Sequence, residues 1–115
     1  MRLKMGAVIL SVIGLMGFAA LGLAEEPIYK ITIKDHKFSP EELSIPANKK
    51  VKVSVENHDR TAEEFESYDL RREKVVSANG EIILFIGPLK PGIYKYFGDF
   101  NPKTAQGRIL AKEGD

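Results

Sequence analysis

Three acidic residues, Glu63, Glu64 and Glu66, fall within four consecutive positions, and no basic residue lies among them. Carboxylates held close together repel one another, and a bound cation relieves that repulsion. Carboxylate oxygens favour hard or borderline ions such as Fe, Mn and Ca, or a weakly held Cu(II). The run therefore predicts either a metal site or a solvent-exposed acidic loop, and the residue types alone do not separate the two.

Two histidines are the candidate nitrogen ligands of the chain, His36 and His58. Imidazole is the commonest protein ligand for transition metals. His58 lies in a turn-forming segment beside the acidic run, and His36 lies where the first predicted strand ends. Both are candidate metal ligands, although a single histidine in a turn is also typical of an ordinary exposed residue.

Sulfur is missing from most of the chain. There is no cysteine, and the three methionines, Met1, Met5 and Met16, all precede residue 25. Disulfides, a nucleophilic thiolate and cysteine-based metal sites are therefore excluded. No serine–histidine–aspartate motif, phosphate loop or zinc signature is recognisable. We predict no catalytic residue, and any catalysis would have to depend on a bound metal.

The first 24 residues have the layout of a secretory signal peptide. Arg2 and Lys4 are followed by an uncharged apolar run from 5 to 24, which ends in Gly22-Leu23-Ala24. Residues 25–115 are then predicted to form the exported domain, in the periplasm if the source is a bacterium. The alternative is an uncleaved anchor, because roughly 20 apolar residues can span a bilayer. The near-neutral charge argues against nucleic acid as a partner and against an electrostatic contact with membranes.

Alternating apolar and polar residues predict β-strands along residues 25–115. The alternation is clearest at 29–34 and 51–56, and shorter segments follow at 82–86, 93–97 and 108–111. Asn79-Gly80 between two apolar runs predicts a β-hairpin. Residues 61–66 could open a helix, but the weak apolar stripe favours an extended stretch around Phe65. About seven or eight short strands predict a single all-β sandwich.

Three passages occur in a recognisable order: Phe38-Ser39-Pro40 with 43–47, the strand 51–57 ending in Asn57, and the segment 91–96. Together they resemble the cupredoxins, which are Greek-key β-sandwiches that hold type 1 copper. The resemblance spans nearly all of residues 28–112. It implies a Greek-key, cupredoxin-like fold in which the two ligand loops meet at one end of the sandwich.

The copper ligands of that family are replaced in this chain. The resemblance aligns Gly98 with the cysteine, Asn101 with the second histidine and Ala105 with the methionine. Either Glu63 or Glu64 stands in place of the first histidine. Because a blue copper centre needs a thiolate together with imidazoles, we predict that no type 1 copper is bound.

A narrower resemblance involves segments 64–67, Leu70, Glu73-Lys74, and segments 87–92, 97–100 and 104–107. They are similar to exported cupredoxin-like components that accompany high-affinity iron permeases. This implies a periplasmic role in iron handling, with a membrane iron permease or another periplasmic protein as partner.

If the two ligand loops meet, as they do in the cupredoxin fold, Asp99 would also lie near the glutamates. The candidate ligands for Fe or Cu are thus Glu63, Glu64, Glu66, Asp99, His36 and His58. The alternatives are a metal-free interaction module and a ferroxidase.

Overall fold

The computed structural model describes residues 26–114, which form two packed β-sheets. The predicted signal segment, residues 1–24, lies outside the described residues. The strands are β1 (Ile28–Lys34), β2 (Lys37–Ser39), β3 (Glu42–Pro46), β4 (Val51–Asn57), β5 (Glu63–Ser67), β6 (Arg72–Val76), β7 (Glu81–Ile86), β8 (Gly92–Gly98) and β9 (Gln106–Lys112).

One sheet has four strands in the order β2-β1-β4-β7, and the other has five in the order β3-β9-β8-β5-β6. Strand β1 runs parallel to β4, and β3 runs parallel to β9, whereas the other paired strands are antiparallel. The predicted all-β sandwich is therefore confirmed, with nine strands between residues 26 and 114 rather than seven or eight. Within that range no helix has the length and apolar character needed to cross a membrane.

The core lies between the sheets and is built from the inward residues of the alternating strands. Phe65 and Tyr96 stack with ring centroids 4.9 Å apart, and Phe38 packs edge-on against both. Within residues 26–114 the buried apolar core consists of the following side chains: Ile31, Ile33, Phe38, Leu43, Ile45, Ala47, Val51, Val53, Val55, Phe65, Val76, Leu84, Ile86, Tyr96, Ala105, Ile109 and Ala111.

The predicted hairpin around Asn79-Gly80 is wrong. The tight turn exists, and Asn79 adopts a left-handed φ of 56°. However, β6 pairs with β5 and β7 pairs with β4, so the two strands belong to different sheets. The buried Asn57 side chain holds this crossover, because its Nδ2 donates to the carbonyls of Thr61, Val76 and Ser77. These bonds direct the chain from one sheet to the other.

Candidate metal site

Strand β5 divides the acidic run between two environments, because alternate side chains of a strand point to opposite faces. Phe65 is 1% exposed in the core, and Glu63, two positions earlier, shares its inward face and is also 1% exposed. Glu64 and Glu66 point outward and are partly exposed. The three glutamates therefore cannot bind one ion together.

The Glu63 carboxylate is buried at the end of the sandwich where the two predicted ligand loops meet. Its Oε1 accepts hydrogen bonds from the backbone N–H of Glu64 at 2.9 Å and of Phe100 at 2.8 Å. Its Oε2 accepts one from Asn101 Nδ2 at 2.8 Å. Three donors thus satisfy this carboxylate from within the protein, as a buried charged group requires.

The position that the resemblance aligns with the copper thiolate is filled by the same side chain. A Cβ added to Gly98 would lie 2.6 Å from Glu63 Cδ and 2.7 Å from Ala105 Cβ, closer than real Cβ contacts. The replacements Gly98, Asn101 and Ala105 therefore surround Glu63. The copper end of the fold is packed with a hydrogen-bonded carboxylate instead of being left open.

A second group of carboxylates lies on the outer face of the five-stranded sheet. Oxygen atoms of Glu64, Glu66 and Asp99 all lie within 4.8 Å of one another. The Asp99 N–H donates to the Glu64 carbonyl at 2.9 Å, which continues the pairing of β8 with β5. Glu73 stands opposite Glu66 in the pairing of β5 with β6 and adjoins the group. We call these four residues the acidic cluster.

Two members of the acidic cluster, Glu64 and Glu66, have raised pKa values. Partial loss of hydration, together with the neighbouring Glu73 and Asp99, raises the pKa of Glu64 to about 7. Lost hydration and the same two neighbours also raise the pKa of Glu66 above its ordinary value. None of the ion pairs among residues 26–114 involves the cluster. Like charges without a basic partner favour a bound proton or a bound cation.

The two histidines lie outside this group. His36 Nδ1 is 3.6 Å from Asp59 Oδ2, in a turn where Asp59 also accepts the backbone N–H groups of Asp35 and His36. His58 Nε2 is 3.2 Å from Glu56 Oε1 on the outer face of the four-stranded sheet. The structure thus brings together Glu64, Glu66 and Asp99, and leaves Glu63, His36 and His58 apart from them.

Glu73 lies within the narrower resemblance but is not among the six candidate ligands predicted from the sequence. Its place in the acidic cluster depends on the register of β6 against β5. The inward direction of Glu63, in contrast, follows from its parity with Phe65. Because Phe65 must be buried, a residue two positions away on the same strand shares its face.

The comparisons with known proteins agree with this architecture. The sequence matches the family described as "Cupredoxin-like domain" over residues 6–111. An uncharacterised protein, RP394, of Rickettsia prowazekii (strain Madrid E) is 50% identical over 84 residues, which cover 73% of this chain and 67% of that protein.

Two solved structures show the same fold at low sequence identity. Auracyanin A, a "blue" copper protein from Chloroflexus aurantiacus, has a TM-score of 0.64 at 11% identity, covering 76% of this chain and 100% of its own. Amicyanin from Paracoccus versutus has a TM-score of 0.58 at 15% identity, covering 79% and 87%. The chain has no cysteine, so it cannot supply the thiolate that blue copper requires. It therefore belongs to the cupredoxin-like domain family as a member without a blue copper centre.

Proposed function

We propose that this protein is an exported metal-handling domain, accessory to iron uptake, and that the acidic cluster binds the metal as cargo. The observation that carries the proposal is the convergence of Glu64, Glu66 and Asp99 oxygens within 4.8 Å. The resemblance to exported cupredoxin-like components of iron permease systems supports the choice of iron. Export is supported by the signal-like segment at 1–24.

The donor set favours particular ions. The cluster offers carboxylate oxygens only, without imidazole or sulfur. Oxygen ligands suit Fe(III), Mn(II) and Ca(II) better than Cu(I), which prefers soft ligands. A partly exposed site on a sheet face also suits a cargo that must be received and released. Cluster carboxylates would hold the ion directly, and Glu64 would give up its proton when the ion binds.

Titration calorimetry tests this proposal on residues 25–115 with Fe(II) under argon, Fe(III), Mn(II), Ca(II), Cu(II) and Zn(II). We expect binding of an oxygen-preferring ion, weakened on the order of tenfold or more by Glu64→Gln or Asp99→Asn, because affinity follows the charge of the ligand set. Glu81→Gln removes the same charge from the other sheet and should leave binding unchanged. Binding weaker than about 1 mM, roughly 4 kcal/mol, would refute a metal role.

A metal-free interaction module is the second candidate. It is favoured by the buried Glu63, whose three hydrogen bonds complete the copper end without an ion. Phe100 is 52% exposed near this end, and Tyr68, which is 77% exposed, packs against Phe97 of β8. Aromatic side chains are common partner contacts. Capture of a membrane iron permease by the metal-free protein, lost in Tyr68→Ala with Phe100→Ala, would support this candidate. A ferroxidase would additionally need an electron acceptor.

A further inference from the structure

An exposed apolar group lies on the outer face of the four-stranded sheet, at the end where the described chain begins. Ile28, Ile83 and Phe85 are 52%, 41% and 49% exposed. Ile28 belongs to β1, and the other two belong to the edge strand β7. Ile83 and Phe85 are successive outward residues of β7, and Lys52 of β4 lies between Phe85 and Ile28. Exposed apolar side chains grouped on one face often mark a site that contacts another surface.

Lysines border this group. The Nζ atoms of Lys50 and Lys52 lie 5.5 and 5.8 Å from the centroid of the Phe85 ring. Lys49 lines the same groove, and its Nζ is 3.5 Å from Glu26 Oε1. Among residues 26–114, Glu26 is the only acidic residue that lines this groove of about 530 Å³. We call the surface formed by Ile28, Ile83, Phe85, Lys49, Lys50 and Lys52 the lysine–Phe85 patch.

The patch lies where the described chain begins, and in the sequence the apolar run 5–24 comes shortly before it. Residues 5–24 are uncharged and number 20, which is about the length that crosses the hydrocarbon core of a bilayer. Pro27 and Ile28 line the groove of the patch. From Ala24 to Pro27 the chain can extend by about 11 Å at most. A bilayer that holds the segment would therefore lie next to the patch.

We propose that the lysine–Phe85 patch rests on an anionic membrane surface while residues 5–24 remain in the bilayer as an anchor. Lysine ammonium groups bind lipid phosphates, and exposed aromatic and aliphatic side chains enter the boundary between headgroups and acyl chains. The near-neutral net charge argued against such a contact, but the structure concentrates positive charge locally at this patch.

The orientation has a consequence for the acidic cluster. The outer faces of the two sheets of a sandwich point in opposite directions. Resting on the lysine–Phe85 patch therefore turns Glu64, Glu66, Glu73 and Asp99 away from the anionic lipids, which would repel them. The two surfaces are on different sheets, so the membrane contact and the proposed metal binding can fail independently.

Tryptophan fluorescence can test the contact, because the chain has no tryptophan. Phe85→Trp places one reporter in the patch, and Tyr68→Trp places a matched reporter on the other sheet. The full chain is reconstituted in nanodiscs that contain brominated lipids, either zwitterionic or with added phosphatidylglycerol. We expect the reporter at position 85 to be blue-shifted and quenched in anionic nanodiscs, and much less so in zwitterionic ones. The reporter at position 68 should be unchanged in both.

Charge reversal gives the matched control. One lysine near an anionic surface raises the ratio of membrane-docked to undocked protein by roughly fivefold. Lys50→Glu with Lys52→Glu should therefore lower that ratio by roughly 25-fold or more. Lys95→Glu with Lys103→Glu changes charge equally elsewhere and should have little effect. Equal quenching of both reporters, or no dependence on lipid charge, would overturn the proposal. A blue shift at position 85 that depends on protein concentration in the absence of lipid would also overturn the proposal, because it would indicate contact between copies of the chain. A blue shift reproduced by inorganic phosphate alone would overturn it as well.

Discussion

Replacing Glu63 with alanine removes the acceptor of three hydrogen bonds at the copper end of the sandwich. The backbone N–H groups of Glu64 and Phe100 and the Nδ2 of Asn101 would all lose their partner. A buried donor left without an acceptor costs about 1–3 kcal/mol. With water reaching some of the vacated space, we expect Glu63→Ala to lower the free energy of unfolding by about 3–6 kcal/mol.

Glu63→Gln separates hydrogen bonding from charge. Its amide oxygen can keep both backbone donors, and its NH₂ group would face Asn101 Nδ2. Rotation of the Asn101 amide then offers Oδ1 as the acceptor, since an amide carries both a donor and an acceptor group. We therefore expect Glu63→Gln to cost less than about 1.5 kcal/mol, the net value of one hydrogen bond.

Urea and thermal unfolding of residues 25–115, followed by circular dichroism, measure these differences. For a domain of this size 1 kcal/mol shifts Tm by about 4–8 °C, so the loss expected for Glu63→Ala should lower Tm by roughly 12–48 °C. Glu81→Ala, at an exposed position, is the control and should stay within about 0.5 kcal/mol of the parent. A loss below about 1 kcal/mol in Glu63→Ala, or equal losses in both Glu63 variants, would refute the hydrogen-bond argument.

Three further predictions concern neighbouring features. Gly98→Ala should cost about 1–3 kcal/mol by overpacking, because its Cβ would lie 2.6 Å from Glu63 Cδ; an unchanged urea midpoint would contradict this. Tyr96→Phe removes a hydroxyl that is buried without a partner, so it should leave stability unchanged or raise it by about 1 kcal/mol; a clear loss in urea unfolding would reveal a partner. The pKa of Glu64 is raised to about 7 in the folded state, so this residue stabilises the metal-free fold at acid pH, and the effect disappears as pH rises through 7. Glu64→Gln should therefore raise Tm at pH 8 relative to the parent and have little effect at pH 4, and the reverse order would contradict the electrostatic account.

Local pattern predicted most of the strands but not all of their partners. Alternation around Ile31 and Val53 reports which side chains are buried, and both belong to the strands expected there. The Asn79-Gly80 signal correctly predicts a tight turn. It cannot report that Val76 and Leu84 enter the core from opposite sheets, because sheet membership is decided by contacts far away in sequence, such as those of Asn57.

The candidate site was predictable to a similar extent. The meeting of the two loops is confirmed, since Asn101 bonds Glu63 and Asp99 lies beside Glu64. The grouping of all the glutamates with the histidines is not observed, because residue type does not report side-chain direction. Strand parity with Phe65 separates Glu63 from Glu64, and strand register adds Glu73.

The close packing of Gly98 against Glu63 also constrains how this sequence can evolve. Gly98→Cys alone would place a Cβ 2.6 Å from Glu63 Cδ, in space that is already filled. Replacing Glu63 first with a side chain that offers no acceptor would leave the donors of Phe100 and Asn101 without their partner. Either first step towards a thiolate site therefore lowers stability before copper can bind and compensate. The loss of stability at either first step therefore opposes the return of a blue copper centre in this chain, independently of any selection against the metal.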